Sequence, residues 1–253
     1  MTARCFDLVS DETAPILAVA LPYAGGAGRS LRPWAAHLPT GVALATIDLP
    51  GHGHRRTQPC LTGFDDAVAD LYADLHQVSR PVVLVGYSMG ARLAYELAHR
   101  LIAAARPPLG LVACMARAPH TGLGHARFAS GCPESEFLDR AIANGLADPA
   151  MRELPELADT FAGVLRADLT IVESYRYRRR SPLAIPTCVL GASGDWIAPE
   201  PALRAWADLC AEPPAQVRIP GGHLVLHEQP ATVARAVAGA IASITQLTKG
   251  ATA

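Results

Sequence analysis

PVVLVGYSMGARLAYELAHRL, residues 81–101, carries the three parts that decide the fold. Pro81 to Val85 is a short, continuous, valine-rich run, the pattern of a strand buried on both faces. Met89, Leu93, Leu97 and Leu101 recur at fourfold spacing and predict a helix with one apolar stripe. Between them Gly86-Tyr87-Ser88-Met89-Gly90 matches G-x-S-x-G. A turn this tight from strand into helix leaves no room for a Cβ at its flanks, which explains the glycines. It holds the serine strained, with its hydroxyl pointing out beside the first backbone N–H groups of the helix. Ser88 is therefore the candidate nucleophile.

Outward from this unit the alternation repeats. Apolar runs at 16–22, 42–48, 109–115 and 186–191 read as buried strands, and 215–219 as one more. Helix-like stretches at 64–77, 202–209 and 231–244 lie between or after them. Strands alternating with helices predict an α/β fold, a mostly parallel central sheet flanked by helices. Residues 120–180 break the alternation, with helix-like pieces only at 134–144 and 156–175. An insertion of that length between sheet strands predicts a lid or binding element. Residues 246–253 are small and polar and are expected to fray. No linker, repeat or biased tract divides the chain, so residues 1–253 are expected to form a single domain.

Composition narrows the class of function. With 22 basic and 23 acidic residues the formal charge is −1, which gives no reason to expect nucleic acid or an anionic membrane as partner. The first residues lack the apolar core of a secretory signal, and no apolar run reaches membrane-spanning length. The six cysteines (Cys5, Cys60, Cys114, Cys132, Cys188 and Cys210) show neither C-x-x-C pairs nor metal-ligand spacing. Reduced thiols, no metal, a cytoplasmic location and a monomer are the expectations.

A serine hydroxyl needs a base, and on such a sheet the chain order is Ser, then Asp or Glu, then His. Gly191-Ala192-Ser193-Gly194-Asp195 forms a loop at the carboxyl end of a strand, where open α/β sheets place their functional groups. Asp195 is the candidate to hold the imidazole. Among nine histidines position must choose. His37, His76 and His99 lie in helical stretches, His52 and His54 precede the serine, and His120 and His125 precede Asp195. His227 lies toward the next helix. His223, after Pro220-Gly221-Gly222, meets both order and loop position. For the oxyanion, one donor is the backbone N–H of Met89. The other is assigned to Ala24, with Tyr23 beside it, in the glycine-rich Pro22–Gly28 loop. That loop has neither G-x-G-x-x-G nor a following lysine, so a nucleotide cradle is not expected.

The chain resembles the type II thioesterases, stand-alone editing hydrolases with the α/β-hydrolase fold that serve non-ribosomal peptide and polyketide assembly lines. The likeness rests on LPYAGGAG and RPWAAHLP, LPGHGHR, GYSMGARLAYELA, ARAPH, PESEFL, VLRADLTIVESYRY, GASGDW and PGGHLVL, and spans nearly the whole chain. It implies a catalytic triad of Ser88, Asp195 and His223 and an oxyanion hole of Ala24 and Met89. It implies acyl, aminoacyl or peptidyl groups carried on the phosphopantetheine of acyl or peptidyl carrier proteins, and a lid at 120–180. No cofactor of the enzyme's own is implied. Two departures stand out: His54 where an acid is common, and Tyr87 where histidine is common. They bear on acyl preference, and Tyr23 and Tyr87 are weak substrate-binding candidates. For carrier docking the basic residues Arg176, Arg178, Arg179 and Arg180 are available, with Arg117 and Arg127 near them. A general esterase or acyltransferase on the same fold is the competing reading, because fold and triad do not fix the substrate. A non-catalytic scaffold is the third.

Overall fold

The structure is a computed structural model that describes residues 6–123 and 132–250. Cys5, His125, Arg127 and residues 251–253 lie outside the described residues. Seven strands, β1 (Phe6–Leu8), β2 (Ile16–Leu21), β3 (Val42–Ile47), β4 (Val82–Tyr87), β5 (Gly110–Cys114), β6 (Thr187–Ala192) and β7 (Ala215–Ile219), form one sheet. Their order is β1-β3-β2-β4-β5-β6-β7. All neighbours are parallel except β1, which runs antiparallel to β3. This is the α/β-hydrolase arrangement expected.

The central strands are largely apolar because helices cover both faces, whereas the edge strand β7 carries exposed Gln216 and Arg218. On one face α1 (Phe64–Leu75) and α2 (Met89–Ala103) bury Phe64, Leu71, Leu75, Leu93 and Leu97 against Leu17, Val19 and Leu84. On the other, α7 (Pro230–Gly250) and a 3₁₀ helix at Gly28–His37 bury Val233, Val237, Ile241 and Trp34 against Ala18, Val83 and Val112. The chain leaves β2 for β3 on one side and returns to β4 on the other. The carboxyl ends of β2 and β4 therefore flank a topological switch point, the place where such sheets hold ligands.

Several boundaries differ from the sequence reading. β1 was not expected, since three residues carry no periodicity of their own and pair only because β3 offers an edge. The stretch at 202–209 is split into α5 (Glu200–Arg204) and a 3₁₀ turn at Ala205–Leu209. The fraying expected from 246 does not hold up to 250: α7 continues through Gly250, with Ile244 and Thr245 still buried and the Thr248 hydroxyl bonded back to the helix. The insertion at 120–180 contains α3 (Glu134–Ala143) and α4 (Pro155–Ser174). These two pack Phe137, Ala141, Leu165 and Leu169 into a small core of their own.

Among the described residues no helix is long and apolar enough to cross a membrane. Cys60, Cys114, Cys132, Cys188 and Cys210 are free thiols. No described cluster of three His, Cys, Asp or Glu side chains is placed to hold a metal ion.

Candidate active site

Ser88 stands at the junction of β4 and α2 with φ 53° and ψ −111°, a backbone that L-residues rarely adopt. The strain is held by close packing. A Cβ on Gly86 would lie 2.3 Å from the carbonyl oxygen of Gly90, and one on Gly90 would lie 2.2 Å from the carbonyl oxygen of Leu21. Side chains at either glycine would push α2 away from the sheet. The backbone N–H of Ser88 donates to Cys114 at the end of β5, at 2.8 Å, which pins the elbow from a second strand.

The two loops that follow β6 and β7 are tied together. Ser193 N–H donates to Ile219 at 2.9 Å and Gly194 N–H to Gly221 at 2.8 Å. This fixes Asp195 and His223 relative to one another. Asp195 Oδ2 lies 2.8 Å from His223 Nδ1, and its Oδ1 accepts the N–H groups of Ile197 at 2.9 Å and Ala198 at 3.0 Å. Asp195 and His223 are both buried. His223 Nε2 lies 2.8 Å from Ser88 Oγ. With Nδ1 facing a carboxylate, Nδ1 donates and Nε2 is left to accept from the serine hydroxyl. The three residues chosen from loop position and chain order are thus brought together in one line.

The Pro22–Gly28 loop after β2 borders the same space. Gly25 N–H donates to Asp168 Oδ2 at 2.7 Å and Gly26 N–H to Tyr23 O at 2.9 Å. Those two donors are taken. Ala24 lies between Tyr23 and Gly25, and both Ala24 and Met89 line the cavity beside Ser88. The loop is held from below by residues whose role was not read from the sequence. Asp168 of α4 bonds His52 Nε2 at 2.9 Å, and His52 Nδ1 lies 3.1 Å from the Pro50 carbonyl. Asp48 accepts Gly28 N–H at 2.7 Å, His54 N–H at 3.0 Å and His54 Nδ1–H at 2.6 Å. The LPGHGHR and LRAD segments are therefore the supports of this loop.

Tyr23 lines the cavity, with its hydroxyl 2.7 Å from His227 Nε2. Tyr87 does not. It is fully buried beneath the site and its hydroxyl donates to the His223 carbonyl at 2.6 Å. The expectation that Tyr87 contacts substrate is corrected: the strand alternation that exposes Ser88 turns its neighbour inward, where it braces the histidine loop.

The cavity beside Ser88 is walled by Met115, Ala116, Leu123, Leu146, Leu169, Val172, Ile197 and Leu224, with Arg92 and Arg117 among them. Four of these residues come from the insertion, so the insertion builds part of the wall. Arg92 was not singled out from the sequence. Its signal was an arginine four residues past Ser88, on the first turns of a helix whose residues 89–98 are all buried. The basic run after α4 offers less free charge than its sequence suggests, because Arg178 pairs with Asp65 and Arg180 with Glu96.

In sequence and fold the chain is similar to known proteins. The family model described as a thioesterase domain covers residues 17–241. The AMB antimetabolite synthetase AmbE of Pseudomonas aeruginosa is 37% identical over 185 residues, which is 68% of this chain but 8% of that protein's length. Among solved structures, the RedJ thioesterase of the prodiginine pathway of Streptomyces coelicolor is 29% identical with a TM-score of 0.82, covering 90% of this chain and 87% of that one. The type II thioesterase BorB from the borrelidin biosynthetic cluster is 27% identical with a TM-score of 0.83, covering 93% and 97%. A match over nearly the whole sheet and the loops at its carboxyl end leads to one conclusion: the chain belongs to the thioesterase family, serine hydrolases that act on thioesters.

Proposed function

We propose that the protein is a stand-alone type II thioesterase that releases acyl and aminoacyl groups from the phosphopantetheine arm of carrier proteins on a non-ribosomal peptide or polyketide synthase. The observation that carries this reading is the Ser88–His223–Asp195 line, with contacts of 2.8 Å and 2.8 Å, at an apolar cavity in a thioesterase fold. We assign the chain to a single domain, working as a monomer in the cytoplasm beside its carrier partners.

The chemistry follows from the positions. His223 Nε2 takes the Ser88 proton as Oγ attacks the thioester carbonyl carbon. Negative charge gathers on the carbonyl oxygen, where the N–H groups of Ala24 and Met89 and the amino end of α2 receive it. Buried Asp195 stabilises the imidazolium and keeps its tautomer. The C–S bond breaks, and the thiolate takes the proton from His223. Water then enters, gives a proton to His223 and attacks the acyl-serine. The acid departs as Ser88 recovers its proton. A thiolate leaves readily, so this site needs less help from the general acid than an amidase does. No step requires a metal.

The test is release of the acyl group from an acylated phosphopantetheinyl carrier protein, wild type against Ser88→Ala, with the matching oxygen ester alongside. Rapid release abolished by the substitution is the expected result. Activity on the oxygen ester with none on the carrier would make the protein a general esterase. Transfer to an added alcohol or amine in place of water would make it an acyltransferase.

A further inference from the structure

A guanidinium taken out of water is costly unless a counter-charge meets it, so buried arginines are normally paired with carboxylates. Arg92 is 5% exposed and lies on α2, one helical turn beyond Ser88. Its Nη2 donates to the Gly122 carbonyl at 2.7 Å, and its guanidinium lies 5.5 Å from the centre of the Tyr175 ring. Arg117, half-buried, donates from Nε to the same carbonyl at 3.3 Å and from Nη1 to Ile197 at 3.4 Å. Both arginines are among the residues that line the cavity holding Ser88 and His223, and Arg92 also borders the adjoining recess with Gly122 and Tyr175.

Neither arginine has an acidic partner among the described residues. Glu96, one turn further along α2, is taken by Arg180 and by the Tyr175 hydroxyl. Glu173 shares the adjoining recess with Arg92 and Arg176 but forms no ion pair with Arg92, and it is not on the wall of the acyl cavity. Residues 1–5, 124–131 and 251–253 contain no aspartate or glutamate. Burial and the neighbouring charge of Arg117 press the Arg92 pKa down to about 10, still far above neutrality, so both groups are cations. Two cationic residues thus border one cavity whose wall, apart from Tyr23, Ser88 and His223, is apolar and whose described residues include no acid.

We propose that Arg92 and Arg117 form a carboxylate-binding end of the acyl cavity, so that the preferred substrates are thioesters whose acyl group carries a second, terminal carboxylate. The inference rests on the thioesterase reading of the same site. The aliphatic part of such an acyl group lies against Leu146, Leu169 and Val172, and its carboxylate takes the guanidinium donors that Gly122 leaves unused. The phosphate of the pantetheine arm is the other anion a substrate brings. It is separated from the thioester by both amide groups of the arm, whereas Arg92 lies only about 6 Å along the helix axis from Ser88. A short dicarboxylyl chain fits that separation.

The experiment uses N-acetylcysteamine thioesters, which carry no phosphate. Succinyl, glutaryl and adipoyl thioesters are compared with butyryl, valeryl and hexanoyl thioesters of matched length. The wild type is expected to favour at least one acidic member over its neutral match by about tenfold or more in kcat/KM. Arg92→Gln and Arg117→Gln are expected to remove that preference, lowering kcat/KM on the acidic member by about tenfold more than on its neutral match. Arg92→Lys, which keeps the charge, is expected to retain part of it. Should Arg92→Gln fail to fold, the more exposed Arg117 position carries the test.

Equal rates on acidic and neutral members in the wild type would overturn the proposal. So would variants that slow both classes alike, since the arginines would then serve only to anchor Gly122. Variants that weaken only phosphopantetheine-borne substrates, whatever the acyl group, would assign the anion to the phosphate and also overturn it. Failure of the wild type on every thioester, carrier-bound ones included, is a separate result that removes the thioesterase reading itself.

Discussion

The site holds two buried histidine–aspartate pairs. His223 Nδ1 meets Asp195 at 2.8 Å, and His52 Nε2 meets Asp168 at 2.9 Å. Distance and burial hardly separate them, with side chains at most 4% exposed in both. The remaining ring nitrogen does. In His223 it faces the Ser88 hydroxyl, so the ring has an acceptor to offer. In His52 it faces the Pro50 carbonyl, itself an acceptor, so the ring has no lone pair to offer a hydroxyl and its charged form is favoured. Under the proposed mechanism the first pair moves a proton, while the second braces the Pro22–Gly28 loop through Gly25. The third contact, not the pair, decides whether such an arrangement does chemistry.

The difference is open to being broken. His223→Ala should lower kcat by about 10⁴-fold or more on an acyl-carrier substrate, since the nucleophile loses its base. Asp195→Asn, which disturbs the tautomer while keeping the shape, should cost about 10³- to 10⁴-fold. On the other side, Asp168→Asn should cost far less, about ten- to a hundredfold in kcat with KM little changed. It touches the Gly25 N–H next to the oxyanion donor and not the reacting atoms. An Asp168 effect as large as that of Asp195 would place both pairs in the chemistry.

The smallest effect is in stability. Burial favours neutral His52, but the hydrogen bond and charge of Asp168 outweigh it and raise the pKa above the ordinary histidine value. A raised folded-state pKa means the pair stabilises fully at pH below the unfolded value of about 6.5. That contribution is lost as pH rises through the folded value. Unfolding midpoints of wild type and His52→Gln should therefore converge as pH rises from about 5.5 to about 8.5. Divergence with rising pH would show the ring to be neutral.

The sheet and the elbow that carries Ser88 were legible because their information is local. A valine-rich strand, bracketing glycines and an apolar stripe occupy 81–101 without a gap. Asp195 and His223 followed from loop position and chain order. The supports of the oxyanion loop were not legible, because they join residues remote in sequence: Gly25 meets Asp168 across 143 positions, and His52 meets Asp168 across 116. No periodicity reports such contacts. Tyr87 was misplaced for the opposite reason. Its neighbour Ser88 suggested the site, while the turn aims consecutive side chains in different directions. Arg92 went unread because a cation on a buried helix looks like an interruption until the cavity beside it is seen.

Gly90 has a consequence for how this protein diverges over generations. A Cβ there would lie 2.2 Å from the Leu21 carbonyl oxygen, so at this point the strand that leads to Ala24 and the helix that begins at Met89 meet backbone to backbone. Variation in side chains cannot retune that contact, and replacing the glycine disrupts packing and reaction together. The acyl wall is different: Leu123, Leu146, Leu169 and Val172 are ordinary side chains on an insertion with a small core of its own. Selection is thus free to alter which acids descendants release, one wall residue at a time, while the hydrolytic step is inherited unchanged.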